Sequence, residues 1–355
     1  MPVQPLKDLA AALLTAGGFT ADEAGMIADS LVLSELMGHG SHGLLRVRQY
    51  LHYLKIGDVV SGAQLNILHE TPISLLADAH KGAGQVIMPA LLNKLHDKIK
   101  TQATVTAAVR NCGHIGRLGE WLESSAKAGY PGLLMVNDNG ASFLVAPPGG
   151  RQPVTSTNPI AFGIPLPDGE VFITDMSTSA IAFGKVRLAK LIGQVLPPDC
   201  IQDAEGKMTT DPSVLLSNPM MGSMLPMGGA QGYKGFALSM FVDMLGAGLS
   251  GGQAPPAVGV GKQLLNNLTL TLWNPEFFAG LPHMQHEAQK YINFIRAAAP
   301  IDPAKPIRLP GDRMTAIRQA REQTGIPLSP ELVQDLRKLA DELNILWPAA
   351  LGPSI

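Results

Sequence analysis

An α/β fold is what this sequence predicts, a strand-rich core held between helical ends, and three observations carry the prediction. Apolar residues recur at helical spacing at both ends of the chain, Leu6 to Thr15 being the first such run. The middle instead carries short β-rich runs set apart by Gly- and Pro-rich connectors such as VAPPGGRQP. Hydrophobic residues make up 46% of the 355 and charged residues only 16%, a balance that favours a buried core over disorder. The length suits two domains, or one large domain with an inserted lobe.

TADE, Thr20 to Glu23, has the spacing of a capping box, and the helix it opens runs to about Met37, where Gly38 and Gly40 break it. Ser41 is placed to cap a further helix, roughly His42 to Leu54. From Ile73 the texture changes to PISLLADA, then a helical span near Ala83 to Lys100, then TVTAAVR as a β-rich run. PGLLMVND, NPIAFGIPLP and EVFITDMS read as further strands. Helical spacing returns from Tyr233 to Leu249, and LTLTLWNP, Leu268 to Pro275, reads as one more strand. The C-terminal stretch is helical again, with Ser329 as an N-cap and Glu331 in the first turn. The division that follows is a helical segment over 1–72, an α/β core over 73–290 with a smaller sub-domain near 73–130, and a helical segment over 291–355 that packs back on the first. No internal repeat or low-complexity tract interrupts this order.

Bulk properties exclude several partners. A net charge of −2 offers no electrostatic reason to expect nucleic acid or an anionic membrane surface. Two cysteines, Cys112 and Cys200, are too few for a disulfide framework and fit a reducing compartment. The N-terminus lacks a positive cluster ahead of its short apolar run, so a signal peptide is not expected. No uninterrupted apolar run approaches the ~20 residues that span a bilayer. The expectation is a soluble, cytoplasmic protein.

Four stretches can carry chemistry. In GHGSHGLLRVRQY, Gly38 to Tyr50, a Ser41 cap would set His42 and Arg46 on one helical face. A guanidinium grips a carboxylate with two prongs, and an imidazole beside it exchanges a proton at the neighbouring oxygen, with its pKa lowered by the arginine's charge. Two plainer readings stay open: a solvated helix start, and a metal site on His39, His42 and a third ligand. His-x-x-His across a helix break is poor metal geometry, and no Cys/His cluster supports it. TVTAAVRNCGHIGRLGEW places Gly113, Gly116 and Gly119 at a strand-to-helix turn, where open amides bind anions. It is not the dinucleotide fingerprint, and His114 there fits a half-buried histidine equally well. GGAQGYKGFALSMFVDMLGAGLSGG ends a glycine-rich lead-in at Lys234, in the first turn of an apolar helix; Gly235 follows, so this is no Walker A loop. ITDMSTSAIAFGKV ends a strand at Asp175, placed either to cap the next helix or to meet a ribose hydroxyl, with Lys185 as an added anion contact or a surface charge.

In this order the motifs resemble the malate/L-lactate dehydrogenase family of the second type, a group distinct from the Rossmann-fold lactate and malate dehydrogenases. The resemblance runs through GHGSHGLLR, NCGHIGRLGEW, STNPIAFGIP, DMSTSAIAFGKV, LPMGGAQGYKGFALSMFVDMLGAGLSGG, WNPEFF and LPGDR with GIPL, nearly the whole chain. It implies a non-Rossmann α/β fold in which NAD or NADP lies across a mostly open sheet. It also implies a homodimer whose helical termini form the dimerisation and substrate region.

Carried over residue by residue, His42 matches the family's proton donor, Ser41 the residue that orients it, and Arg46 the arginine on the substrate carboxylate. Thr157 matches a substrate-side threonine. His114, Ile115, Gly116, Arg117 and Leu118 match the cofactor loop, where His114 also faces the substrate. Asp175, Met176, Ser177 and Thr178 match the stretch contacting the nucleotide, Lys234 with Gly235 its phosphate contact, and Pro310, Gly311, Asp312 and Arg313 a turn closing over it. The chain departs from the family pattern at Gly40, where an acidic residue usually precedes the Ser-His pair. Asp243 replaces a usual glutamate, and LPGD replaces Pro-Gly-Glu.

The activity implied is hydride exchange between a nicotinamide and C2 of a 2-hydroxy or 2-oxo carboxylic acid. Arg117 and Lys185 are candidates for a 2′-phosphate, so NAD against NADP stays open. The alternatives are reduction of cyclic imino acids such as piperideine-2-carboxylate, a metal hydrolase on His39, His42 and His114, and an inactive binding relative.

Overall fold

The computed structural model describes residues 1–257 and 265–352. Helices α1 (Val3–Ala16) and α2 (Ala21–Leu36) open the chain. Leu6, Leu9 and Leu13 line one side of α1, since steps of three and four residues return to one helical face. Thr20 caps α2 as the spacing predicts: Glu23 N donates to Thr20 Oγ1 at 3.3 Å, and Thr20 N to the Glu23 carboxylate at 3.2 Å.

The next helix departs from expectation. Gly40–His42 form a single 3-10 turn, and α3 begins only at Arg46 and ends at Lys55. Ser41 caps nothing; its hydroxyl lies on the adjoining imidazole instead, and His42 does not share a helix with Arg46. The buried carboxylate of Glu35 takes the amide of Leu44 at 3.0 Å, a charge-assisted bond that holds the chain in a turn where a helix would have started.

Beyond α3 the chain enters a sheet earlier than predicted. Strand β1 (Asn66–Glu70) falls inside the segment read as helical and pairs antiparallel with β2 (Ser74–Asp78). Helix α4 (Gly84–Ile99), β3 (Thr104–Cys112), α5 (Leu118–Lys127), β4 (Gly132–Asn137), β5 (Ile160–Pro165) and β6 (Val171–Met176) follow. Next come α6 (Phe183–Leu191), the short strands β7 (Ile201–Asp203), β8 (Met208–Thr209) and β9 (Gly222–Met224), and α7 (Gly232–Ser250). The chain closes with β10 (Asn266–Trp273), α8 (Leu281–Arg296), α9 (Asp312–Thr324) and α10 (Pro330–Glu342).

Seven strands form the main sheet in the order β1-β2-β3-β10-β4-β5-β6, and only the β2–β3 pair is parallel. Alternation along each strand explains its two covered faces. Leu134 and Val136 of β4, with Leu268, Leu270 and Leu272 of β10, join the core shared with α4 and α5. Leu133 and Met135 point the other way, to Val242, Leu238 and Leu245 of α7. Because β2 and β3 sit inside this sheet, the region near 73–130 makes no separate lobe. The small lobe lies further on, where β8-β7-β9 and α6 close over Ile181, Val186, Ile201 and Met224. Its strands are too short for a period of two to register in sequence.

The chain ends meet. Leu336, Leu339 and Leu351 are buried in one cluster with Leu6, Leu13, Leu31 and Val47, and Ile326 N donates to Met1 O at 2.8 Å. Ser329 caps α10, accepting from Leu332 N at 3.3 Å. Among the described residues no helix is long and apolar enough to cross a membrane.

Candidate active site

The GHGSH turn is gripped from several sides, and its glycines are what let the neighbours close in. A side chain at Gly43 would collide with the Glu35 carboxylate, and one at Gly38 would lie 2.9 Å from Ile317 of α9. His39 Nε2 lies 2.8 Å from the sulfur of Met314, also on α9. From the small lobe, Gly184 packs so closely on Ser41 that a methyl group there would overlap the serine side chain. The acid that the family pattern sets before the Ser-His pair is absent at Gly40; Glu35 of α2 brings a carboxylate beneath the turn from another element.

Within this clamp His42 Nδ1 is 3.0 Å from Ser41 Oγ. Its ring stacks on His114 with centroids 5.6 Å apart and planes 20° from parallel. Tyr50 lies one helical turn beyond Arg46 on α3, and its hydroxyl is 2.7 Å from His114 Nδ1. Gln85 Nε2 donates to that phenol oxygen at 3.0 Å, so the phenol's own proton is free for His114 Nδ1. His114 then carries its proton on Nε2, as a donor. Arg46 donates through Nε to Ser41 O at 2.7 Å and through a terminal nitrogen to Gln49 Oε1 at 2.5 Å. No acidic side chain faces Arg46 among the described residues; its charged neighbour is another cation, Arg187.

The electrostatics follow from burial among positive charges. Desolvation, then the charges of Arg46, His39 and Arg117, holds His42 neutral down to about pH 3. His39 is held down to about 4 by burial and by Arg117, Arg313 and Lys185. His114 is driven well below the usual histidine range by burial and by Arg46. Burial pushes the Tyr50 phenol up to about 12, so it stays a proton donor. The site is an uncharged pair of imidazoles beside an unpaired guanidinium. Among the described residues no three His, Cys, Asp or Glu side chains converge as a metal ion requires.

The strand-to-helix turn that sequence read as an open anion site is already filled. Asp175 caps α5, not the following helix: its Oδ2 accepts from Gly119 N at 2.8 Å, and α6 has no side-chain cap. Arg117 is only 2% exposed beside Glu123. Ile115 and Leu118 are buried, Ile115 N bonding to Asn266 Oδ1, and Gly116 adopts a positive φ of 74° against Gln85. Gly311 lies 3.4 Å from Ile173 O at the position of a missing methyl, which lays the 310–313 turn on β6. Pro310 and Arg313 are exposed there, and Asp312 accepts from Leu309 N and Arg296.

A second cluster forms where β6 ends. Thr178 is buried, and both its amide and hydroxyl donate to Thr157 O, at 3.0 and 3.1 Å. The neighbouring Asn158 is pinned by Asp243 of α7, 2.6 Å from its Nδ2, and Asp243 also takes the Thr155 hydroxyl at 2.5 Å. Met176 packs toward α7, and the Ser177 hydroxyl turns to Ser179 O. Met227 N donates to Thr178 O, and Gly235 packs on Met227, which carries the start of α7 to the same place. That start is a cradle: Gly228 and Gly229 hold φ of 117° and 55°, the first turn has no acid, and Lys234 is exposed.

Ser41, His42, Arg46 and His114 are thus brought together, and Thr157, Thr178, Lys234 and Gly235 form a neighbouring group joined to them through Asp175–Gly184. Tyr50, Gln85 and Gly184 were missed. Tyr50 had a signal, four residues beyond Arg46 on the same helix; Gln85 and Gly184 had none.

Comparison with known proteins follows the same outline. The family model described as malate/L-lactate dehydrogenase matches residues 1–337. Hydroxycarboxylate dehydrogenase B of Escherichia coli O157:H7 is 33% identical over 92% of this chain and 89% of its own. The Delta(1)-pyrroline-2-carboxylate/Delta(1)-piperideine-2-carboxylate reductase of Pseudomonas syringae pv. tomato is 32% identical over 94% of each. The structure of a putative malate/lactate dehydrogenase from E. coli superposes with a TM-score of 0.90 and 31% identity, covering 97% of this chain and 95% of that one.

Proposed function

The chain belongs to the malate/L-lactate dehydrogenase family, and we propose that it interconverts a 2-hydroxy and a 2-oxo carboxylic acid with NAD or NADP. The observation that carries this reading is Arg46: a half-buried guanidinium with no acidic partner among the described residues, set beside two neutral imidazoles. A buried cation without a counter-ion is costly, and a substrate carboxylate supplies one.

The α7 cradle, with its open glycines and Lys234, fits the diphosphate of a nicotinamide dinucleotide, and Lys185 and Arg313 near His39 supply further positive charge. When bound, that cofactor exchanges the hydride with C2 of the acid. Arg46 fixes the carboxylate. In the oxidative direction His42 holds its proton on Nδ1 toward Ser41, which leaves Nε2 to accept the proton of the substrate hydroxyl. His114 donates from Nε2 to the same oxygen and steadies its developing charge, with Tyr50 and Gln85 fixing its tautomer. In reduction His42 has to arrive protonated. A carboxylate on Arg46 offsets the charge that depresses His42, so substrate and proton are taken up together.

A nicotinamide cofactor would be held by the α7 cradle against a mostly antiparallel sheet, which is not the doubly wound parallel arrangement of a Rossmann fold. The homodimer is built on α7, whose outer face exposes Tyr233, Met240, Phe241 and Met244 at helical spacing. A Phe241→Asp variant running as a monomer supports this placement, and an unchanged dimer refutes it. The two unpaired cysteines suit the cytoplasm.

The similarity to the pyrroline-2-carboxylate/piperideine-2-carboxylate reductase supports a second reading, reduction of a C=N bond beside a carboxylate on the same residues. A panel of 2-oxo acids and cyclic imino acids, each followed by oxidation of NADH and of NADPH, tests both. Turnover confined to the imines moves the chain to the second reading, and no turnover of either class removes the first.

A further inference from the structure

Asp243 lies on the buried side of α7, 5% exposed, and divides its carboxylate between two parts of the fold. Oδ1 accepts from Asn137 Nδ2 of β4 at 3.1 Å, and Oδ2 accepts from Asn158 Nδ2 at 2.6 Å and from the Thr155 hydroxyl at 2.5 Å. The amide orientation is fixed, because Asn137 Oδ1 already accepts from Asn139 N and Asn267 Nδ2 and so leaves Nδ2 for Asp243. From Asn137 the connection runs on to the imidazoles. Asn266 of β10 donates through Nδ2 to Asn137 O at 3.3 Å and accepts at Oδ1, 3.1 Å away, from the amide of Ile115, the residue after His114. The other arm ends beside Thr157. Asn158 holds a left-handed φ of 31°, a backbone state that a side chain disfavours and that its surroundings have to maintain. Thr157 is half-buried, its carbonyl is taken by Thr178, and among the described residues its hydroxyl has no hydrogen-bond partner.

We propose that Asp243 is a positioning residue: acting through Asn158 it aims the Thr157 hydroxyl at the substrate, and through Asn137 and Asn266 it keeps that loop in register with the His114 loop. This rests on the hydroxy-acid reading above, with Thr157 on the substrate side. A carboxylate suits the place because both of its oxygens accept and neither donates. An amide there turns its own NH2 toward that of Asn137 or of Asn158, whichever way it sits, and one arm of the frame is lost. The cofactor cradle at the start of α7 is held separately, by Met227 and Thr178.

The test is a double-mutant cycle between Asp243→Asn and Thr157→Val, with Asp243→Glu and Asn158→Gly beside it, on 2-oxo acids and cyclic imino acids. Asp243→Asn should lower kcat/KM for the preferred substrate by about 10- to 100-fold, with part of the loss in kcat, because a displaced reacting group slows the step itself. The KM for the nicotinamide cofactor should stay within about twofold. Thr157→Val should cost about tenfold, and the double variant should fall within about twofold of Asp243→Asn alone, since both changes remove the same contact. Asp243→Glu keeps two accepting oxygens and should recover part of the rate. Asn158→Gly retains the left-handed backbone, removes the bond to Asp243 and should reproduce the loss, which carries the test should Asp243→Asn fail to fold. Multiplying losses in the cycle, a cofactor KM that rises with the substrate KM, or wild-type kcat/KM in Asn158→Gly each sink this inference and leave the hydroxy-acid reading standing. The expected pattern found on the imines alone supports the frame and moves the substrate to the second reading. Absence of turnover on every 2-oxo acid and every imine sinks both.

Discussion

Two glycine-rich stretches, GHGSHG and MGGAQGYKG, look alike in sequence and are opposite in the fold. Gly38 and Gly43 are small because Ile317 and Glu35 need their space, and the histidines between them are half-buried and kept neutral. Gly229 has nothing within 4 Å of its missing side chain, and Gln231, Tyr233 and Lys234 beside it are exposed. In the first stretch glycine admits side chains from other elements; in the second Gly228 and Gly235 close on nearby backbone, and Gly229 leaves the chain open to something from outside. A glycine motif therefore reports close approach, and only packing says whether the visitor is a side chain or a ligand.

The sharpest way to break this contrast is at His42. His42→Ala should lower turnover of the preferred 2-oxo acid by about 10²- to 10⁴-fold, the usual worth of a general acid–base, and steady-state rates close to wild type would remove His42 from the chemistry. Arg46→Lys comes next: losing the two-pronged contact should reduce kcat/KM by about 100-fold. An unchanged KM for the acid would leave that guanidinium a purely structural part.

Gly43→Ala probes the packed stretch directly. The added methyl meets the Glu35 carboxylate, and the strain should cost about 2 kcal/mol in denaturant unfolding. Equal stability would mean the turn is looser than its contacts suggest.

Acid should do something similar more gradually. An unfolded histidine titrates near 6.5, while His42 and His39 stay neutral in the fold down to about 3 and 4. Their contribution is therefore complete above the unfolded value and is lost as pH falls toward the folded ones, because the unfolded chain binds protons first. Each contributes up to about 1.4 kcal/mol per pH unit in that window. Urea titrations from pH 7 to pH 5 should show the slope, and His42→Asn should remove its share; a flat profile contradicts the buried, neutral state.

The smallest effect belongs to the open stretch. Lys234→Ala should raise the KM for the nicotinamide cofactor about five- to tenfold with little change in kcat or melting temperature. A fall in stability instead would place Lys234 with the packed region.

Much of the architecture was written locally. The capping box at Thr20, the N-cap at Ser329, the alternation in LTLTLW and the apolar spacing of α7 each depend on neighbours within a few residues, so sequence reading reaches them. The 3-10 turn at Gly40–His42 was not legible, because Glu35 sets it by taking the Leu44 amide. Asp175 was read as a cap for the helix after it or a contact for a ribose hydroxyl, and its carboxylate takes the Gly119 amide of α5 instead, 56 residues earlier, since a hydrogen bond is indifferent to chain separation. The strands of the small lobe, two and three residues long, carried too little pattern to be read.

From its sequence alone this protein was bound to be an α/β chain with helical ends, and its ordered motifs resembled one dehydrogenase family. Those properties rest on short-range periodicity and on residue identity. Folding decided which groups meet: that His42 faces His114 and not Arg46 along a helix, that Tyr50 and Gln85 stand behind His114, and that α6 brings Gly184 onto Ser41. Proton affinity and charge pairing depend on burial and distance, and both arise only when segments far apart in the chain pack together.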